Sequence, residues 1–82
     1  MTREECETDL MLLGWKVLNK DIDSDFIKRN PYRKITVFKD VAYKIKARHI
    51  TYHSPSNKIK KSELFDTYQL LINYLVKDSK YD

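Results

Sequence analysis

The chain has 82 residues, 41% of them hydrophobic, with six Tyr, three Phe and one Trp; this allows one domain over residues 1–82 with a modest core and argues against a disordered chain. The single cysteine, Cys6, excludes an internal disulfide and a cysteine-held zinc. With no signal-like apolar stretch at the N-terminus and no run long enough to span a bilayer, the expectation is a cytoplasmic protein away from membranes. The net charge of +4 conceals a segregation: Lys28 to Lys61 holds eleven bases and one acid, Asp40, while the remainder holds five bases and eleven acids, so the middle projects a one-sign field that attracts polyanions.

The first predicted element is a helix. Thr2 can cap it, and Glu5, three residues on, completes a capping box. Glu4, Glu5 and Glu7 crowd the end where the helix dipole favours acids. Cys6, Leu10 and Leu13 recur at helical spacing. Gly14 stops the helix, and Trp15 stands where an apolar contact closes such a stop. Trp15 to Leu18 alternates as a short strand. Asn19 to Pro31 reads as a polar loop, with room for one helical turn at Phe26 and Ile27, and Pro31 biases Asn30 to extended geometry. Lys34 to Phe38 is a strand, followed by a turn at Lys39-Asp40. Val41 to Ala47 carries the clearest strand pattern: Val41, Tyr43, Ile45 and Ala47 share one face, and Ala42, Lys44, Lys46 and Arg48 the other. Ile50 to His53 continues the β composition, so 41–53 is either one long bent strand or two. Ser54 to Asn57 is a loop. The spacing of Leu64, Phe65, Tyr68, Leu71, Ile72, Leu75 and Val76 predicts a core-facing helix that starts near Ser62, with a frayed tail over 79–82. The order α-β-β-β-α is that of a small α+β domain: an antiparallel sheet with two helices on one face.

Within that outline the stripe Lys44, Lys46, Arg48 repeats at about 6.6 Å along a strand, close to the phosphate spacing of a nucleic-acid strand. Lys58, Lys60 and Lys61 lie just before the predicted second helix, whose N-terminus itself favours a phosphate. Arg29, Arg33 and Lys34 extend the basic surface. Tyr32, Tyr43 and Tyr52 interleave with these bases. Tyr43 shares the apolar face with Val41 and Ile45 and belongs to the core, whereas Tyr32 is the candidate for stacking on a base. The bland reading of the stripe is a solvated strand whose lysines discourage edge pairing; it leaves the absence of acids between Asp40 and Glu63 unexplained. His49 and His53, about 13 Å apart on an extended strand, are too distant to share a metal and read as surface histidines. Asp21, Asp23 and Asp25 imitate the start of a calcium loop but lack its Gly, replaced by Phe26, and its closing Glu, replaced by Tyr32. No nucleophile–base pair or glycine-rich phosphate loop occurs. The expectation is therefore no catalysis, no metal and no cofactor.

The element order, with Lys60-Lys61-Ser62-Glu63 opening the second helix, resembles a double-stranded-RNA-binding domain. That resemblance implies that Lys58, Lys60 and Lys61 grip phosphates across a groove, with Glu4, Glu5 and Glu7 on the first helix. The chain departs from the family in two places. The Gly-Pro-x-His loop between the first two strands is here Asn30-Pro31-Tyr32-Arg33, and the small alanines of the second helix are Phe65, Thr67 and Tyr68. In composition, rich in Lys, Asp, Ile and Tyr with one Gly, the chain is similar to the small early, counter-defence proteins of lytic phages, which bind and disable a host factor.

The function expected from these residues is non-catalytic binding of RNA or DNA, RNA preferred. The contacts would come from Lys44, Lys46, Arg48, Lys58, Lys60 and Lys61, extended by Arg29, Tyr32, Arg33 and Lys34. The alternative is a phage-encoded inhibitor of a host nuclease, toxin or defence enzyme, with or without RNA in the complex. An unpaired sheet edge leaves room for a homodimer.

Overall fold

The computed structural model describes residues 1–29, 32–39, 45–53 and 56–79. The expectations for Asn30-Pro31, Asp40, Val41 to Lys44, Ser54-Pro55 and the tail beyond 79 lie outside them. Helix α1 (Arg3–Leu12) opens and closes as its sequence dictates. The Thr2 hydroxyl accepts from the Glu5 N–H at 3.2 Å, and the Glu5 carboxylate accepts from the Thr2 N–H at 3.0 Å. At the other end Gly14 takes a φ of +94°, open to glycine at little cost. Its N–H reaches Met11 O at 3.1 Å and that of Trp15 reaches Leu10 O at 3.0 Å, the two bonds of a Schellman closure.

Five strands follow: β1 (Lys16–Lys20), β2 (Ser24–Lys28), β3 (Arg33–Val37), β4 (Ala47–His53) and β5 (Lys58–Phe65). They pair in chain order, β1-β2-β3-β4-β5, every neighbour antiparallel. Helix α2 (Tyr68–Ser79) completes the chain. The architecture is the expected α+β arrangement, with the sheet extended from three strands to five. Both helices lie on one face, α1 over β1 and α2 over β4 and β5. Cys6 and Leu10 of α1 meet Leu71, Ile72 and Leu75 of α2 above Phe26, Ile35, Val37, Ala47 and Phe65 of the sheet. Burial pushes the Cys6 thiol up to about 12, with Asp9 and Glu7 adding to the effect, so Cys6 is an inert core group.

Several elements differ from the sequence-based expectation. Residues 24–28 form strand β2 and no helical turn. Phe26 is fully buried because the register seats it between Val17 and Ile35. The second helix starts at Tyr68, where the Thr67 hydroxyl caps it by accepting from the Leu70 N–H at 3.1 Å; Ser62 is a strand residue paired with Ile50. Leu64 and Phe65 fit a helical stripe by spacing, yet strand alternation sends Phe65 to the core and leaves Leu64 57% exposed. Ile45 and Lys46 precede β4 and are not strand residues. The backbone still pairs there, with Lys46 N donating to Phe65 O at 2.8 Å.

Two polar clusters anchor the helices to the sheet. Glu7 of α1 accepts from Arg3 Nε at 3.0 Å and Ser24 Oγ at 2.7 Å, and it pairs with Lys20 Nζ at 3.3 Å. Burial pushes the Glu7 carboxyl up, but these three donors outweigh it and hold the group below its ordinary range. Under α2, Glu63 of β5 contacts His49 Nδ1 at 2.9 Å, Tyr74 Oη at 3.0 Å and Lys61 Nζ at 3.1 Å. Here too burial raises the carboxyl, and the hydrogen bonds from His49, Lys61 and Tyr74 bring it below its usual value. A carboxylate only accepts, so Nδ1 of His49 carries the proton of that bond.

Candidate nucleic-acid interface

Strand alternation sorts the sheet residues into two faces. Opposite the helices lie three cross-strand rows, set by the register. The middle row reads Lys16, Ile27, Lys34, Ile50, Ser62 from β1 to β5. One row toward the acidic β1–β2 turn reads Asn19, Asp25, Thr36, Arg48, Leu64. At the other end Tyr32 lies beside Tyr52, whose N–H donates to Tyr32 O at 3.0 Å, and Tyr52 pairs with Ile59. Among the described elements none packs over this face. On it cations alternate with aliphatic and aromatic groups, of which Ile50 is buried and Ile27, Tyr32 and Tyr52 are half-buried.

Arg48 and Lys34, both predicted, are on this face and half-buried. The Arg48 guanidinium lies over the Phe38 ring at 5.8 Å, within cation–π reach; its buried Nε has no hydrogen-bond partner among the described residues. Asp25 is the acid of these rows, and it accepts from Thr36 Oγ1 at 2.8 Å. A shallow groove of about 380 Å³ runs here between the acidic turn and the Lys34 and Arg48 side chains. At the opposite end the Tyr32 and Tyr52 rings are 5.1 Å apart, tilted 54°, and the Arg29 guanidinium sits 5.7 Å above Tyr32. Arg29, Tyr32, Lys34 and Arg48 are thus brought to one surface. Lys46 stands just before β4, half-buried. Lys44 lies outside the described residues, so the stripe Lys44-Lys46-Arg48 is represented on a strand by Arg48 alone.

Other predicted residues are elsewhere. Lys58, Lys60 and Lys61 are not at a helix N-terminus; they belong to the edge strand β5. Lys58 pairs with His53, Lys61 pairs with Thr51, and Lys60 falls in the bulge between. Lys61 turns to the helix side, bound to Glu63 and 5.9 Å from the Tyr74 ring. Arg33 is buried under α2, with Nη1 3.0 Å from Asp78 Oδ2 and its guanidinium 5.2 Å from the Trp15 ring. It joins helix to sheet and does not extend the basic surface. His49, expected at the surface, is 1% exposed, its ring edge-on to Trp15 at 5.9 Å. Of the acidic loop, Asp23 accepts from the Lys39 N–H at 3.0 Å and Asp25 from Thr36, so both are structural ties. Among the described residues no group of three or more His, Cys, Asp or Glu side chains could hold a metal ion, and no helix is long and apolar enough to cross a membrane.

Sequence reasoning did not single out Lys16, and it named Tyr52 only among the tyrosines that interleave with the bases and could stack if exposed, with Tyr32 preferred. The signal for Lys16 was present in the alternation Trp15-Lys16-Val17, but it lies outside the basic block and gains its neighbours only through pairing with Ile27. No protein family, curated protein or solved structure was found to match this chain.

Proposed function

We propose that this chain is a non-catalytic nucleic-acid-binding protein and that its ligand lies across the helix-free face of the sheet. The observation that carries this reading is the middle of that face, where Lys16, Lys34 and Arg48 stand around half-buried Ile27 and buried Ile50 and the two helices pack on the other side. Cations spaced across a sheet match a backbone of regularly spaced phosphates, and such contacts position a ligand without reading its sequence. With Arg29, four cations face the ligand. Neutralising about four phosphates of a single strand gives a slope of roughly −2.8 in log affinity against log salt, so affinity falls about 50-fold between about 50 and 200 mM.

The test is fluorescence anisotropy with a labelled RNA oligonucleotide over that salt range, on the wild type and on a Lys16→Gln/Lys34→Gln/Arg48→Gln variant. Glutamine keeps enough stem to cover Ile27 and Ile50. The reading requires the variant to melt like the wild type while its salt slope shrinks by about 2. A folded variant with undiminished affinity, or a wild type indifferent to salt, contradicts it.

One observation favours a protein partner instead: the edge strand β5 leaves Ile59 62% and Leu64 57% exposed beside an unpaired strand edge. A stoichiometric partner that survives nuclease treatment and is lost on Ile59→Lys/Leu64→Lys would mark that reading as the correct one.

A further inference from the structure

From the open face we infer that the ligand is single-stranded and that Tyr32 and Tyr52 form the platform on which its bases stack. This rests on the nucleic-acid reading and narrows it to one class of ligand. Four features point this way. The first is composition across the rows: half-buried Ile27 stands between Lys16 and Lys34, and half-buried Tyr32 and Tyr52 lie at the end of the face, while Ile50 between Lys34 and Ser62 is buried. A duplex laid on a flat sheet presents phosphates and sugars, which leave aliphatic and aromatic groups unanswered. An unpaired strand presents phosphates and flat base faces together.

The second feature is the tyrosine pair. Its rings are held 5.1 Å apart by a backbone hydrogen bond between the same two residues, and Arg29 stands over the outer ring. Tyrosine and arginine are the side chains on which unpaired bases stack. Both tyrosines are half-buried. The third is size. Five strands at about 4.8 Å apart give a platform roughly 19 Å across, and Arg48 to Tyr52 spans about 13 Å along β4. That surface accommodates about four nucleotides, the low end of the site sizes of sheet-based single-strand binders. The fourth concerns the alternative. The duplex grip implied by the sequence resemblance places Lys58, Lys60 and Lys61 at a helix N-terminus, and here they are spread along β5.

The experiment compares a 5′-labelled 8-mer of mixed RNA sequence with a hairpin duplex of equal charge, by anisotropy at low salt. The proteins are the wild type, Tyr52→Leu, Tyr52→Phe and Tyr32→Leu, each checked by thermal melting. The expected result is at least tenfold tighter binding of the single strand. Tyr52→Leu loses about tenfold with its salt slope unchanged, and Tyr52→Phe keeps wild-type affinity because the ring remains. Tyr32→Leu gives an independent reading should Tyr52→Leu fail to fold. Equal or tighter binding of the duplex, or folded leucine variants that bind like the wild type, overturns the inference and leaves the broader reading standing. Failure of both ligands to bind overturns both.

Discussion

On the helix-covered face Ser24, Phe26, Ile35, Val37, Ala47 and Phe65 are buried beneath α1 and α2, and the polar groups there are bonded into clusters around Glu7 and Glu63. On the open face the same five strands carry Lys16, Lys34 and Arg48 among Ile27, Ile50 and Tyr52. Strand alternation makes both faces from one backbone. The difference separates cations tied into ion pairs beneath the helices from cations on the opposite face, where the proposed ligand would lie. Arg3, Lys20, Arg33 and Lys61 are engaged on the covered side by Glu7, Asp78 and Glu63. Lys16, Lys34 and Arg48 face outward.

The largest expected effect lies on the covered face. Phe26→Ala removes a fully buried ring seated between Val17 and Ile35 and should cost about 3–5 kcal/mol in chemical denaturation, a large share of the stability of a domain this small. Ile27→Ala, one residue along and pointing the other way, should cost less than about 1.5 kcal/mol. Equal costs would abolish the distinction between the faces. Next in size, Glu63→Ala strands the His49 and Tyr74 donors and should cost about 2–3 kcal/mol, whereas removing Asp25, which bonds Thr36 on the open side, should cost about 1 kcal/mol.

Acid should attack the covered face first. Glu7 and Glu63 are both held below the ordinary carboxyl value of 4.5. Their contribution to stability is complete above that value and is lost as pH falls through their lowered folded values. Thermal melts between pH 6 and about 3 should therefore show a steady fall below about 4.5, and Glu7→Gln/Glu63→Gln should flatten it. The smallest expected stability change is that of Lys34→Gln, within about 0.5 kcal/mol, although under the proposed function the same change should weaken binding.

How much of this was legible in the sequence follows the range of the interactions. Helix α1 was readable to its ends, because the Thr2–Glu5 box and the Gly14 closure are completed within a few residues. Strand β2 was not, because Phe26 becomes a strand residue through partners at Val17 and Ile35 that no local pattern names. The segment Lys58–Phe65 was misread for a related reason. Leu64 and Phe65 extend the apolar spacing of α2 backward, and only pairing with β4 reveals that Leu64 points away. The site was legible in part. Lys34, Arg48, Arg29 and Tyr32 do share a surface, while Arg33 and Lys61 look equally free in sequence but meet Asp78 and Glu63 from distant elements. His49 was misplaced similarly: its burial follows from Trp15, Glu63 and Tyr74 closing around it.

The most direct measurement is a titration of the isotopically labelled protein with a single-stranded 8-mer, followed by amide shifts in NMR spectra. The account predicts the largest shifts at Lys16, Ile27, Lys34, Arg48, Ile50 and Tyr52, with α1 and α2 nearly silent. Shifts concentrated on the helices or along β5, with the open face unmoved, would contradict it.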